Sequence, residues 1–131
     1  MIMSTQRRLA RHSDERGHLV AVTSEADVPF AVRRIFWIYG NADGLARAGH
    51  ANAATTEMLV CVAGACRARL EDATGTRDHL LDRPDRALIV PPATWLDLTD
   101  FTVDCVLLVL ADTEFSADDA VTERAALGLS G

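Results

Sequence analysis

Lysine is absent from this 131-residue sequence, and all 13 basic side chains are arginine. Without that amine there can be no Schiff base to a carbonyl substrate, no pyridoxal phosphate anchor and no phosphate-loop lysine. Excess positive charge is missing too. With 19 carboxylates the formal net charge is −6, which gives no general attraction to nucleic acid or to an anionic membrane. Aromatic residues make up only 5%. Cysteines are three, an odd number without Cys-x-x-Cys spacing, and each sits in an apolar run. They are expected to serve as small core residues, not as a disulfide framework or a zinc site. No hydrophobic run approaches the length of a membrane span, and the basic start is followed by no apolar stretch of a secretory signal. These absences lead to the expectation of a cytoplasmic protein.

What is present is an apolar fraction of 49%, enough for a core, divided into short runs by turn residues. The runs cover residues 19–22, 31–39, 58–62, 66–70, 79–81, 87–90 and 102–110. Ala63, Gly64 and Ala65 read as a hairpin turn between the third and fourth. Strands so short, regularly spaced and rich in Val, Ile and Leu predict an all-β sandwich or barrel. Alternation at a period of two supports this. It places Arg34, Phe36 and Ile38 on one face and Arg33, Ile35, Trp37 and Tyr39 on the other. Only residues 117–129 have helical composition, with Ser116 as the expected N-cap of a short C-terminal helix. With no linker, repeat or low-complexity segment, residues 1–131 are expected to form a single domain.

The segment richest in chemistry is GLARAGHANAATTEMLVCVAG, residues 44–64. Gly44, His50, Asn52, Glu57 and Gly64 have the spacing of the first cupin motif, with Asn52 in place of the second histidine. Residues two apart on a strand share a face, so His50 and Asn52 are expected to point together into a barrel, where Glu57 joins them. The second cupin motif is expected near Val90-Pro91-Pro92-Ala93-Thr94-Trp95-Leu96, with Ala93 at its glycine and Leu96 at its histidine. Only His50 and Glu57 then remain of four expected ligands, too few for a transition-metal site, so no metal is expected.

Beyond the motif, the chain resembles the nucleotide-sugar 3,4-ketoisomerases, the WxcM-like cupins that act without metal on a dTDP-4-keto-6-deoxyhexose. The resemblance runs from Asp14 to Asp119. It is carried by Asp14-Glu15-Arg16-Gly17-His18-Leu19, by Pro29-Phe30 with Arg34-Ile35-Phe36-Trp37-Ile38-Tyr39, and by Arg47-Ala48-Gly49-His50-Ala51-Asn52. The segments 59–64, 90–95 and 104–111 fit the family's later strands. The sequence departs from the family at Asn52, at Ala53 in place of a basic residue, at Leu96-Asp97 in place of His-Glu, and at Asp119-Ala120-Val121-Thr122 in its tail.

The resemblance implies a cupin fold, a double-stranded β-helix or jelly roll, and a homodimer needing no cofactor. It implies proton transfer between C3 and C4 of the ketosugar through an enediol. Histidine suits that task because its ordinary pKa of about 6.5 lets it take and return a proton near neutrality. His50 is the expected base and Asn52 a hydrogen-bond donor to a ketone or enolate oxygen. Tyr39 is the expected hydroxyl donor. Arg16 and Arg47 are candidates for clamping a diphosphate, with Arg34, Trp37, Glu57 and Asp97 as further substrate-binding candidates. Two other readings stay open. The pocket has been reassigned to another enolisable natural-product ketone, or the domain binds a nucleotide sugar without turning it over.

Overall fold

The computed structural model describes residues 5–41 and 45–130; Gly44, the first glycine of the motif, lies outside them. Two five-stranded antiparallel sheets face each other. The first has the order β1 (Gln6–Arg8), β9 (Arg86–Val90), β6 (Glu57–Ala63), β11 (Val106–Ala111), β4 (Arg34–Tyr39). The second runs β12 (Ala120–Val121), β5 (Arg47–Asn52), β10 (Trp95–Thr99), β7 (Cys66–Asp72), β8 (Gly75–Leu81). A separate hairpin, β2 (Arg11–Asp14) with β3 (Gly17–Val20), projects from residues 11–20. This is the all-β sandwich that the spacing of apolar runs predicts, in the jelly-roll form that the resemblance implies.

Alternation explains which strands have a wet face. In β7, Cys66, Ala68 and Leu70 turn inward while Arg67 and Arg69 face solvent. In β4, Arg34, Phe36 and Ile38 turn inward and Ile35, Trp37 and Tyr39 outward. By contrast β6 is buried from Glu57 to Cys61, because both of its faces are covered. Leu59 and Cys61 enter the core between the sheets with Leu88, Leu98, Leu107 and Val109. Met58 and Val60 enter a second core, closed over the outer face of the first sheet by Val28, Phe30, Val22 and Val32. The turn after β6 passes through Gly64 at φ 63°, where a Cβ would come within 2.8 Å of the Cys105 backbone.

The C-terminal segment departs from the predicted helix. It forms a 3-10 turn at Ala117–Asp119, the two-residue strand β12 and a second 3-10 turn at Arg124–Leu127. Ser116 flanks the first turn in extended conformation with no side-chain capping bond. The acidic composition that resembles a helix start serves a different purpose. Asp119 accepts from Ala54 N at 2.7 Å and from the Thr55 hydroxyl, and Ala120 and Val121 pair with Asn52 and Ala51. Tertiary bonds to the edge of β5 therefore outweigh helical propensity. Behind this edge, Trp95, Ala51 and Leu129 pack together with Val121 and Leu127. Arg124 lies over the Trp95 ring at 5.4 Å and pairs with Glu71 at 2.7 Å.

Candidate active site

One end of the space between the sheets stays open. Its outer cleft, of about 520 Å³, is lined by Arg34, His50, Asn52, Glu57, Phe115 and Asp119, among others. A smaller chamber of about 120 Å³ continues inward past Arg47, Ala48 and Leu96; Phe36, His50 and Glu57 border both.

Strand β5 delivers His50 and Asn52 from one sheet. Its alternation is preserved through an irregularity. Ala48 and Gly49 both have positive φ, 68° and 65°, and the pairing with β10 shifts between Leu96 and Asp97. Such a bulge re-aims the side chains that follow it, and here Ala48, His50 and Asn52 are the half-buried, inward residues. The opposite sheet delivers Arg34 and Glu57. Both lie in register with Ala111 of β11, so they flank it two strands apart on one row.

Glu57 is 6% exposed. Burial pushes its carboxyl above the ordinary range. The charges of His50 and Arg34 and the Asn52 amide beside it pull it back, while the Asp119 carboxylate pushes further up. Arg34 lies between two aromatic rings, 5.5 Å from the Phe36 centroid and 5.7 Å from that of Phe115. Its buried Nε has no hydrogen-bond partner among the described residues. A buried, unpaired N–H is costly, and in an open cleft it is a ready donor to a ligand oxygen. Thr55, in turn, is buried and bonded to the Thr113 hydroxyl at 2.6 Å, which helps to fix the floor behind Asp119.

Of the residues singled out in the sequence, His50, Asn52, Glu57, Arg34 and Arg47 are brought to one cavity. Four others are not. Trp37 and Tyr39 are 59% and 69% exposed on the outer face of β4, because Phe36 and Ile38 occupy its inward positions. Asp97 falls between the inward Leu96 and Leu98 on β10 and turns to the other face. Arg16 sits at the tip of the β2–β3 hairpin, exposed and paired with Asp14 at 2.5 Å. That pairing holds the Asp14 carboxyl below its ordinary range. His12 and His18 are exposed, whereas His79 is half-buried and its burial lowers its pKa. Phe115 and Asp119 line the cavity with no such part foreseen for them. The signal for Asp119 was an acidic pair, Asp118-Asp119, in a weakly amphipathic stretch.

The family model described as "FdtA: WxcM-like, C-terminal" matches residues 3–127. The chain belongs to this WxcM-like family. Its sequence is 34% identical over 110 residues to a TDP-4-oxo-6-deoxy-α-D-glucose-3,4-oxoisomerase of Aneurinibacillus thermoaerophilus, covering 84% of this chain and 79% of that protein. Among solved structures, it is similar to QdtA, a sugar 3,4-ketoisomerase from Thermoanaerobacterium thermosaccharolyticum, in complex with TDP. The TM-score is 0.91 at 26% identity, covering 95% of this chain and 90% of that one. A variant of the same enzyme, with one histidine changed to asparagine, is in complex with TDP-4-keto-6-deoxyglucose; its TM-score is 0.91 at 25% identity, with the same coverage.

Proposed function

We propose that this WxcM-like chain is a 3,4-ketoisomerase of a TDP-linked 4-keto-6-deoxyhexose. The observation that carries the proposal is the convergence of His50, Asn52, Glu57 and the unpaired Arg34 Nε on one cleft, in a chain whose relatives have this activity. No group of three close His, Cys, Asp or Glu ligands includes His50 or Glu57 among the described residues.

In this mechanism His50 takes the proton from C3 of the sugar, leaving an enediol across C3 and C4. It then returns the proton to C4, so that the carbonyl moves from C4 to C3. One base suffices when both transfers occur on one face. The oxygens must exchange a proton in the opposite sense, and burial favours the neutral Glu57 needed to give one to the C4 oxygen. Glu57 then recovers a proton from the C3 hydroxyl. The Asn52 amide and Arg34 Nε donate to the oxygens as negative charge develops, and Arg47 at the chamber wall is the candidate for the diphosphate.

The reading includes a homodimer built on the outer face of β4. That strand is a sheet edge, and Ile35, Trp37 and Tyr39 leave an apolar face on it uncovered. It also includes a cytoplasmic setting and a place in deoxysugar biosynthesis for natural products, with three free cysteines fitting a reducing compartment.

Incubation with TDP-4-keto-6-deoxyglucose in deuterated water, followed by NMR, tests the activity. Deuterium is expected at C3 or C4, and His50→Ala should slow its entry by about 10²–10⁴-fold. Asn52→His should raise the rate. Asn52 and the buried Leu96 favour a second reading, a binder that does not turn the sugar over. Tight TDP binding without exchange would establish that reading. Failure of both would leave a different enolisable ketone as the substrate.

A further inference from the structure

Deeper in the core between the sheets, outside the lining of the cleft and its inner chamber, three cysteines meet. Cys61 lies on β6, Cys66 opens β7, and Cys105 immediately precedes β11. Their sulfurs all lie within 4.8 Å of one another, and Cys61 and Cys105 approach to 3.7 Å. All three are buried. Cys61 is four residues beyond Glu57 on the same strand, about 13 Å at ~3.3 Å per residue, so this trio is separate from the proposed active site.

Packing alone does not require three thiols at one point. The spacing is that of three donors at the corners of a triangle. An ion at the centre with metal–sulfur bonds of about 2.3 Å needs sulfurs roughly 4 Å apart, close to the 3.7 Å between Cys61 and Cys105 and inside the 4.8 Å that bounds all three. A disulfide would need two of them to close to about 2.05 Å and would leave the third idle.

Charge selects the ion. Leu59, Leu81, Leu98, Phe101 and Leu107 belong to the same core cluster, and a net charge in such surroundings is costly. A monovalent cation that displaces one thiol proton leaves the site neutral: one sulfur–metal bond forms, one S–H bond breaks, and the proton leaves to solvent. The other two thiols donate lone pairs. A zinc ion would need two thiolates and a fourth ligand, yet no carboxylate or imidazole joins the group among the described residues.

We propose that Cys61, Cys66 and Cys105 form a three-sulfur site for a soft monovalent cation of the cuprous class, which soft sulfur ligands suit and which the charge balance favours over zinc. Entry would be by way of the 63–65 turn, which Thr102 holds in place by accepting from Ala65 N at 2.9 Å and donating its own N–H to Ala65 O at 2.9 Å.

The test is an anaerobic titration of the reduced full chain with Cu(I) held by a chromogenic chelator. One ion per chain is expected to transfer, with one proton released and a sulfur-only shell by X-ray absorption. The melting temperature should rise as the ion binds the folded state. Cys→Ser at each of the three positions should weaken uptake by more than about tenfold, the upper range for loss of even an outer-sphere partner being larger still. The wild-type titration decides the matter even where a variant fails to fold. No transfer from the chelator, uptake undiminished in folded Cys105→Ser, or equal retention of Zn²⁺ would each overturn the proposal.

Discussion

Glu57 shows how one buried group couples the site to stability. Its folded-state carboxyl is raised above the model-peptide value of 4.5, chiefly by burial. The neutral form is therefore favoured in the folded chain, and its contribution to stability is complete below pH 4.5. That contribution is lost as pH rises through the raised value. Glu57→Gln, which cannot ionise, is expected to melt higher than the parent chain at neutral pH and to match it more closely in acid. Thermal unfolding followed across that interval checks the sign; a parent chain that gains on the variant as pH rises would contradict it. The same residue illustrates what was legible. His50 and Asn52 share a face because a strand period of two keeps them together, and Glu57 meets them in the cleft from the opposite sheet. Tyr39 and Trp37 did not follow, although the alternation of β4 had already separated them from Arg34. Aromatic character had drawn them toward a pocket that pleating denies them.

At the scale of elements, the segment after β11 is the part least visible in composition. Residues 117–129 read as a helix because acidic residues precede small apolar ones. Nothing local in the chain announces that Asp119 will bind Ala54 N and the Thr55 hydroxyl, 65 and 64 residues away. These bonds join the strap to the end of β5, and the strap carries Phe115 over Arg34. Asp119→Ala is expected to cost about 1–3 kcal/mol, since it leaves donors behind it unpaired. Faster amide exchange should appear at residues 53–56 and in β12, with weaker TDP binding measured by calorimetry. Unchanged exchange in both places would mean the strap is held by its apolar contacts alone. The three cysteines were read as separate core residues, and their meeting stayed hidden for a related reason. Spacing of five and 39 residues between them is no ligand motif, and only the return of β6, β7 and β11 to one end of the sandwich unites them.

For the molecule as a whole, the second core covers the outer face of the first sheet but stops short of β4, while β7 and β8 of the second sheet turn mainly polar residues to solvent. An uncovered apolar edge invites another copy. Replacing Trp37 and Tyr39 together by glutamate is expected to convert a dimer to monomers in analytical ultracentrifugation, with far-ultraviolet circular dichroism unchanged; an unaltered sedimentation coefficient would place the contact elsewhere. The two tryptophans also occupy opposite situations, Trp37 at 59% exposure and Trp95 at 7% beneath Arg124. The chain thereby carries two separate optical reporters. Dilution through a dimer's dissociation should red-shift the emission of Trp37 and open it to quenching by iodide. Trp95 should stay dark to the quencher until the C-terminal strap peels away, so assembly and opening can be told apart in one cuvette without any added label.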